Sequence, residues 1–97
     1  MASEIRALEF DGRNLHHLAQ HGLDANLIAD VLAGAPIVAV NAPRGGRSGS
    51  HLLVGPSSAG RHWTIVIVEM DDKIGLWRPI TGWPSTTKEI LLWQAND

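Results

Sequence analysis

Apolar and polar positions along this chain change period several times, and each change marks an element. Ile5, Ala7 and Glu9 alternate with Arg6, Leu8 and Phe10, which predicts a short first strand ended by Asp11-Gly12. From Arg13 to His21 the spacing of Leu15, Leu18 and Ala19 is helical, with Asp11 or Gly12 at the start and Gly22 at the C-terminal cap position. Asp24 is placed to cap a second helix, and Leu23 before it can staple onto Ile28. Leu27, Ile28, Val31 and Leu32 form the apolar stripe of that helix, which Gly34 and Pro36 terminate.

The second half reads as strands. Pro36 to Val40 is one, followed by the glycine- and proline-rich loop from Asn41 to Gly49, and Ser50 to Gly55 is the next. After the turn at residues 56–60, Arg61 to Glu69 is almost purely β-branched, aromatic and apolar, the pattern of a central strand covered on both faces. Met70-Asp71-Asp72 interrupts the run and Lys73 to Arg78 resumes it, predicting an antiparallel hairpin with Glu69 opposite Ile74 and Ile65 opposite Arg78. Pro79 and Pro84 should take the chain out of the sheet. Thr86 with Glu89 three residues on is a capping box, and Ile90, Leu91 and Trp93 give a short last helix its apolar side.

The order predicts an α+β fold in one domain, residues 1–97. A short N-terminal strand precedes two helices packed on one face of a mainly antiparallel four- to five-stranded sheet, and a short C-terminal helix follows. The second face is left partly free. An exposed sheet edge could pair with a second copy, giving a homodimer.

With 97 residues, 44% hydrophobic and 19% charged, the chain can build one core. No apolar stretch is long enough to cross a bilayer, and Met1-Ala2-Ser3-Glu4 lacks the basic start of a signal peptide, so a soluble cytoplasmic protein is expected. The absence of cysteine excludes disulfides and thiol catalysis. A net charge of −2 and a pI near 6.2 argue against a dedicated nucleic-acid binder. Yet no acidic residue lies between Asp30 and Glu69, while Arg44, Arg47 and Arg61 lie there with His51 and His62. That middle third suits either a solvated surface or an anion.

Phe10-Asp11, Asn14, the His21-Gly22 joint, Ala29 and Val31-Leu32, followed by Gly55, Ser57-Ser58, Gly60-Arg61, Glu69 and Ile74, form a series over most of the chain. In residue type and order it resembles the BrnT-like toxins of bacterial type II toxin-antitoxin modules, which share the RelE-type microbial ribonuclease fold. The resemblance implies a small toxin that cleaves RNA and is neutralised by a cognate antitoxin. The chain departs from the family at Ser50 and Gly75, where arginines are common, and in the closing segment, where Trp77 to Pro84 replaces a Ser-Ala-Arg type sequence. Those changes fall on cationic groups, so the resemblance bears on fold more than on activity.

Metal-free RNA cleavage needs a base for the 2′-hydroxyl, a cation for the phosphorane-like transition state and an acid for the leaving oxygen. In the register above, His51, Ile65 and Arg78 share one row, with His51 and Arg78 about 10 Å apart across two strand spacings. Glu69 would share the face farther along, and Arg61 would occupy the other end of the strand. These four are the catalytic candidates. Arg44, Arg47, Trp77 and Trp83 are the candidates for holding RNA, by charge and by stacking.

An ordinary structural role competes with chemistry at each position. Arg78 suits a surface ion pair, His51 a half-buried strand residue, Glu69 a hairpin end and Arg61 a solvated turn. Trp63 suits the core, while Trp93 suits an anchor for the last helix or for a partner. His17 and His21, four residues apart on the first helix, have the spacing at which two imidazoles can grip a metal ion, but the constellation is incomplete, so His21 is read as a helix-end cap and no metal or cofactor is expected. Two functions lead, an RNA-cleaving toxin held by an antitoxin or a noncatalytic protein-interaction domain on the same fold, and a third, a small-molecule or metal-binding protein, has only the His17 and His21 pair behind it.

Overall fold

A computed structural model describes residues 5–40, 50–70 and 74–95. The elements in chain order are β1 (Ala7–Leu8), α1 (Gly12–Gln20), α2 (Ala25–Ala33), β2 (Ile37–Val40), β3 (Ser50–Pro56), β4 (His62–Glu69), β5 (Leu76–Pro84) and α3 (Thr87–Ala95). The fold is α+β, as expected. The five strands lie in the order β1-β5-β4-β3-β2, with β1 parallel to β5 and every other pairing antiparallel.

Local chemistry accounts for the starts of α1 and α2. Asp11 caps α1, accepting from the backbone N–H of Arg13 and Asn14, while the Asn14 side chain accepts from the Asp11 N–H at 2.8 Å. Asp24 caps α2 by accepting from Leu27 N–H at 2.8 Å. Between them Gly22 takes a φ of +81°, which glycine adopts without steric penalty, and Leu23 turns fully into the core.

The core lies between α1, α2 and one face of the sheet. Leu18, Leu23, Ile28 and Val31 meet Leu53, Trp63, Ile65, Ile67 and Trp77. On the opposite face, side chains that alternate with these along the strands meet α3: the Trp83 indole donates to Glu89, and the His62 ring stands edge-on to Trp93 at 4.8 Å. The Thr86 to Glu89 capping box forms in both directions, at 2.8 and 3.2 Å. No residue of α3 is buried, and Leu91 and Leu92 are exposed.

The hairpin register differs from the expected one. Glu69 pairs with Trp77 and Val68 with Arg78, so Ile65 lies opposite Gly82 rather than Arg78. The chain also stays in the sheet through both prolines, because β5 runs to Pro84. A bulge explains the accommodation: pairing passes from Val66 with Thr81 to Ile67 with Pro79, leaving Ile80 as the extra residue. Past Trp77 the outer edge of β5 has no paired strand among the described residues, and the Pro79 carbonyl there accepts from Asn14 Nδ2 at 3.0 Å. No described helix is long and apolar enough to cross a membrane.

Candidate functional site

The observed register separates the expected catalytic row. His51 pairs with Ile67 and therefore shares the core face with Glu69 and Trp77, whereas Arg78 pairs with Val68, itself opposite Ser50, one position over. Adjacent positions on a strand point to opposite faces, so His51 and Arg78 do not meet across one phosphate. The His51 ring stands edge-on to Trp77 at 5.1 Å, with Nδ1 buried and without a hydrogen-bond partner. Trp77 is 1% exposed and belongs to the core, which corrects its expected role as a stacking platform.

Glu69 shapes the hairpin end, its Oε2 accepting from Gly75 N–H at 2.8 Å. Gly75 itself has a φ of +88°, and a Cβ there would lie 2.9 Å from Arg6 Cδ. The position favours glycine on two counts. Arg61, at the far end of β4, is exposed and sits with its guanidinium carbon 5.1 Å from the Trp63 ring centre. Trp83 is tied to Glu89 and so serves the attachment of α3. Burial raises the Glu89 pKa, but the Thr86 backbone N–H, the Trp83 indole and the Thr64 and Thr86 hydroxyls outweigh it and lower it overall. Arg44 and Arg47 lie outside the described residues.

Arg78 is instead the centre of a cluster at the start of α1. The parallel pairing of β1 with β5 brings Glu9 beside it, and the cap residue Asp11 closes from the helix side. Arg78 Nη1 donates to Glu9 Oε1 at 3.0 Å and lies 2.9 Å from Asp11 Oδ2, while Nη2 donates to Asp11 Oδ1 at 3.1 Å. The Arg78 hydrogen bond, with that from the Asn14 N–H, pulls the Asp11 pKa from 3.8 to about 2. In turn Asp11 foremost, then Glu9, outweighs burial and raises the pKa of Arg78. Both partners are therefore charged at neutral pH.

Arg78, Arg13, Asn14, His17 and Ile80 line a hollow of about 340 Å³. Its floor is fixed by Asn14, which is 5% exposed and donates to the carbonyls of Glu9 and Pro79, both at 3.0 Å. Its wall is completed by Ile80, turned out by the bulge. Two guanidiniums and an imidazole around one concavity can hold an anion and exchange a proton with it. Sequence reasoning named neither Arg13 nor Glu9 for a site, and raised His17 only as half of a metal-binding pair. The spacing of Arg13 four residues before His17 was a legible signal for one helix face, but nothing local links that face to residue 78.

Among the described residues, no group of three or more histidines, cysteines or carboxylates is placed to hold a metal ion. Compared with protein-family models, curated proteins and solved structures, the chain matches none.

Proposed function

We propose that this chain is an RNA-cleaving toxin of the BrnT-like kind, acting at the hollow between α1 and β5 and neutralised by an antitoxin. The observation that carries the reading is the convergence of Arg13, His17 and Arg78 on one hollow, with Arg78 held in place by Glu9 and Asp11. The element order and the mainly antiparallel sheet support it, since both are what the sequence resemblance implies.

In this reading the scissile phosphate sits against Arg13 and Arg78, whose charges offset the negative charge gained in the phosphorane-like transition state. A guanidinium offers five N–H donors, and the contacts with Glu9 and Asp11 use only some of them. His17 accepts the 2′-hydroxyl proton as the 2′-oxygen attacks phosphorus. The bond to the 5′-oxygen breaks, and that oxygen takes a proton from His17 or from water. The products are a 2′,3′-cyclic phosphate and a 5′-hydroxyl end.

A second reading, a noncatalytic protein-interaction domain on this fold, is favoured by one specific observation. Both carboxylates that orient Arg78 also neutralise it, which weakens its pull on a phosphate. One experiment separates the two. Purified chain is incubated with cellular RNA in chelator, beside His17→Ala and Arg78→Ala variants shown to be folded. Cyclic-phosphate ends that appear with the wild type and fall at least a hundredfold in both variants support the toxin reading. A folded wild type that produces none favours the interaction domain.

A further inference from the structure

The exposed face of α1 holds a second arrangement. His17 lies one turn before His21, both side chains are exposed, and their ring centroids are 5.0 Å apart with the planes tilted by 56°. Zinc lies about 2.0–2.1 Å from an imidazole nitrogen, so each ring centre would stand about 3.2 Å from a shared ion. With one nitrogen of each ring turned to a shared ion, a separation of 5.0 Å would correspond to an angle of about 103° at the ion, close to tetrahedral.

We propose that His17 and His21 form a two-imidazole site for a divalent d-block ion, Zn²⁺ being the representative. Neutral imidazoles select Zn²⁺, Cu²⁺ or Ni²⁺ over Mg²⁺ and Ca²⁺, which take oxygen ligands. The remaining coordination positions fall to water, since no third protein ligand stands by among the described residues. His21 caps the C-terminus of α1, where the negative end of the helix dipole favours a cation. Arg13, one turn before His17, opposes the ion, so the site is weaker than a closed structural zinc centre. His16 stays outside it: its ring lies 3.4 Å from Gln20 Nε2, on another part of the helix surface.

His17 also lines the hollow, so a bound ion occupies the ring nitrogen that proton transfer would use. Inhibition of cleavage by Zn²⁺ is the consequence, and that part rests on the proposed function.

The test is a titration of the metal-free chain with zinc chloride at pH 7.5, followed by calorimetry and by imidazole NMR signals. His17 and His21 should shift together on one 1:1 isotherm. His17→Ala and His21→Ala should each weaken binding at least tenfold, while His16→Ala stays within twofold of the wild type. A His21→Ala variant that binds within twofold of the wild type overturns the site, as does an isotherm led by His16, His51 or His62. A chain that binds zinc in the expected way and cleaves no RNA supports the site and overturns only the proposed function.

Discussion

Gly82 is the point where the joint between α1 and α2 presses against β5, and its substitution by alanine gives the sharpest structural test. Gly82 pairs with Ile65. A Cβ on it would lie 2.6 Å from Leu23 Cδ1, 2.8 Å from the Thr64 carbonyl oxygen and 3.4 Å from Ile65 Cα. Leu23 could rotate away, although it is fully buried, but the Thr64 oxygen belongs to the backbone of the central strand and cannot move alone. Overpacking of this kind costs about 1–3 kcal/mol. Against it stands the conformational entropy that alanine saves relative to glycine, about 0.5–1 kcal/mol. The net destabilisation is about 0–2.5 kcal/mol, and its midpoint of about 1.2 kcal/mol lowers Tm by roughly 5–10 °C in a domain of 97 residues. Thermal unfolding followed by circular dichroism measures it. Gly12→Ala is the control, because nothing lies within 4 Å of a Cβ there. A Gly82→Ala protein more stable than the wild type would refute the close approach of β5 to Leu23 and Thr64.

The Asp11 and Arg78 pair predicts a titration. Its folded pKa is depressed below the ordinary value, so Asp11 contributes stability that is fully present above pH 3.8 and is lost as the pH falls through about 2. Carboxyl NMR should place the Asp11 midpoint near 2 in the wild type and return it toward 3.8 in Arg78→Ala, and an unmoved midpoint would remove Arg78 as the cause. Glu89→Ala should remove the Trp83 indole partner and the half of the capping box that accepts from the Thr86 N–H, while Thr86 Oγ1 still accepts from the backbone N–H of residue 89, a loss of about 1–2 kcal/mol local to that helix. Hydrogen exchange should then rise several-fold at residues 87–95 while β3 and β4 keep their protection; equal loss in the sheet would contradict a separately attached α3.

Much of the architecture was legible because it rests on local signals. Asp11, Asp24 and Thr86 cap the helices where their spacing said they would, and the run from Trp63 to Ile67 is buried throughout. The hairpin register was not, since the segment from Met70 to Gly75 carries no turn dipeptide that fixes loop length. The two prolines of β5 misled for a related reason. Proline is excluded from a strand only where its N–H is needed, and Pro79 sits beside a bulge on a strand whose outer edge is unpaired beyond Trp77 among the described residues.

The site was less legible than the fold, and the cause is sequence separation. Arg78 reaches Glu9 and Asp11 across almost the whole chain, through a parallel pairing of only two residues, Ala7 with Leu76 and Leu8 with Trp77. A two-residue strand leaves almost no periodic trace, yet it decides which face of the protein receives the arginine. The same displacement explains why His51 and Trp77, attractive by residue type, end against each other on the core side. A shift of one residue in pairing exchanges every partner of a strand, so candidates chosen from a row inherit the error of the row. Residues that share one helix face are free of that error. Arg13 and His17 keep their mutual placement whatever the sheet does, because the helix period fixes it. The hollow is therefore anchored on α1, with β5 supplying Arg78 and Ile80, the contributions that required the tertiary structure.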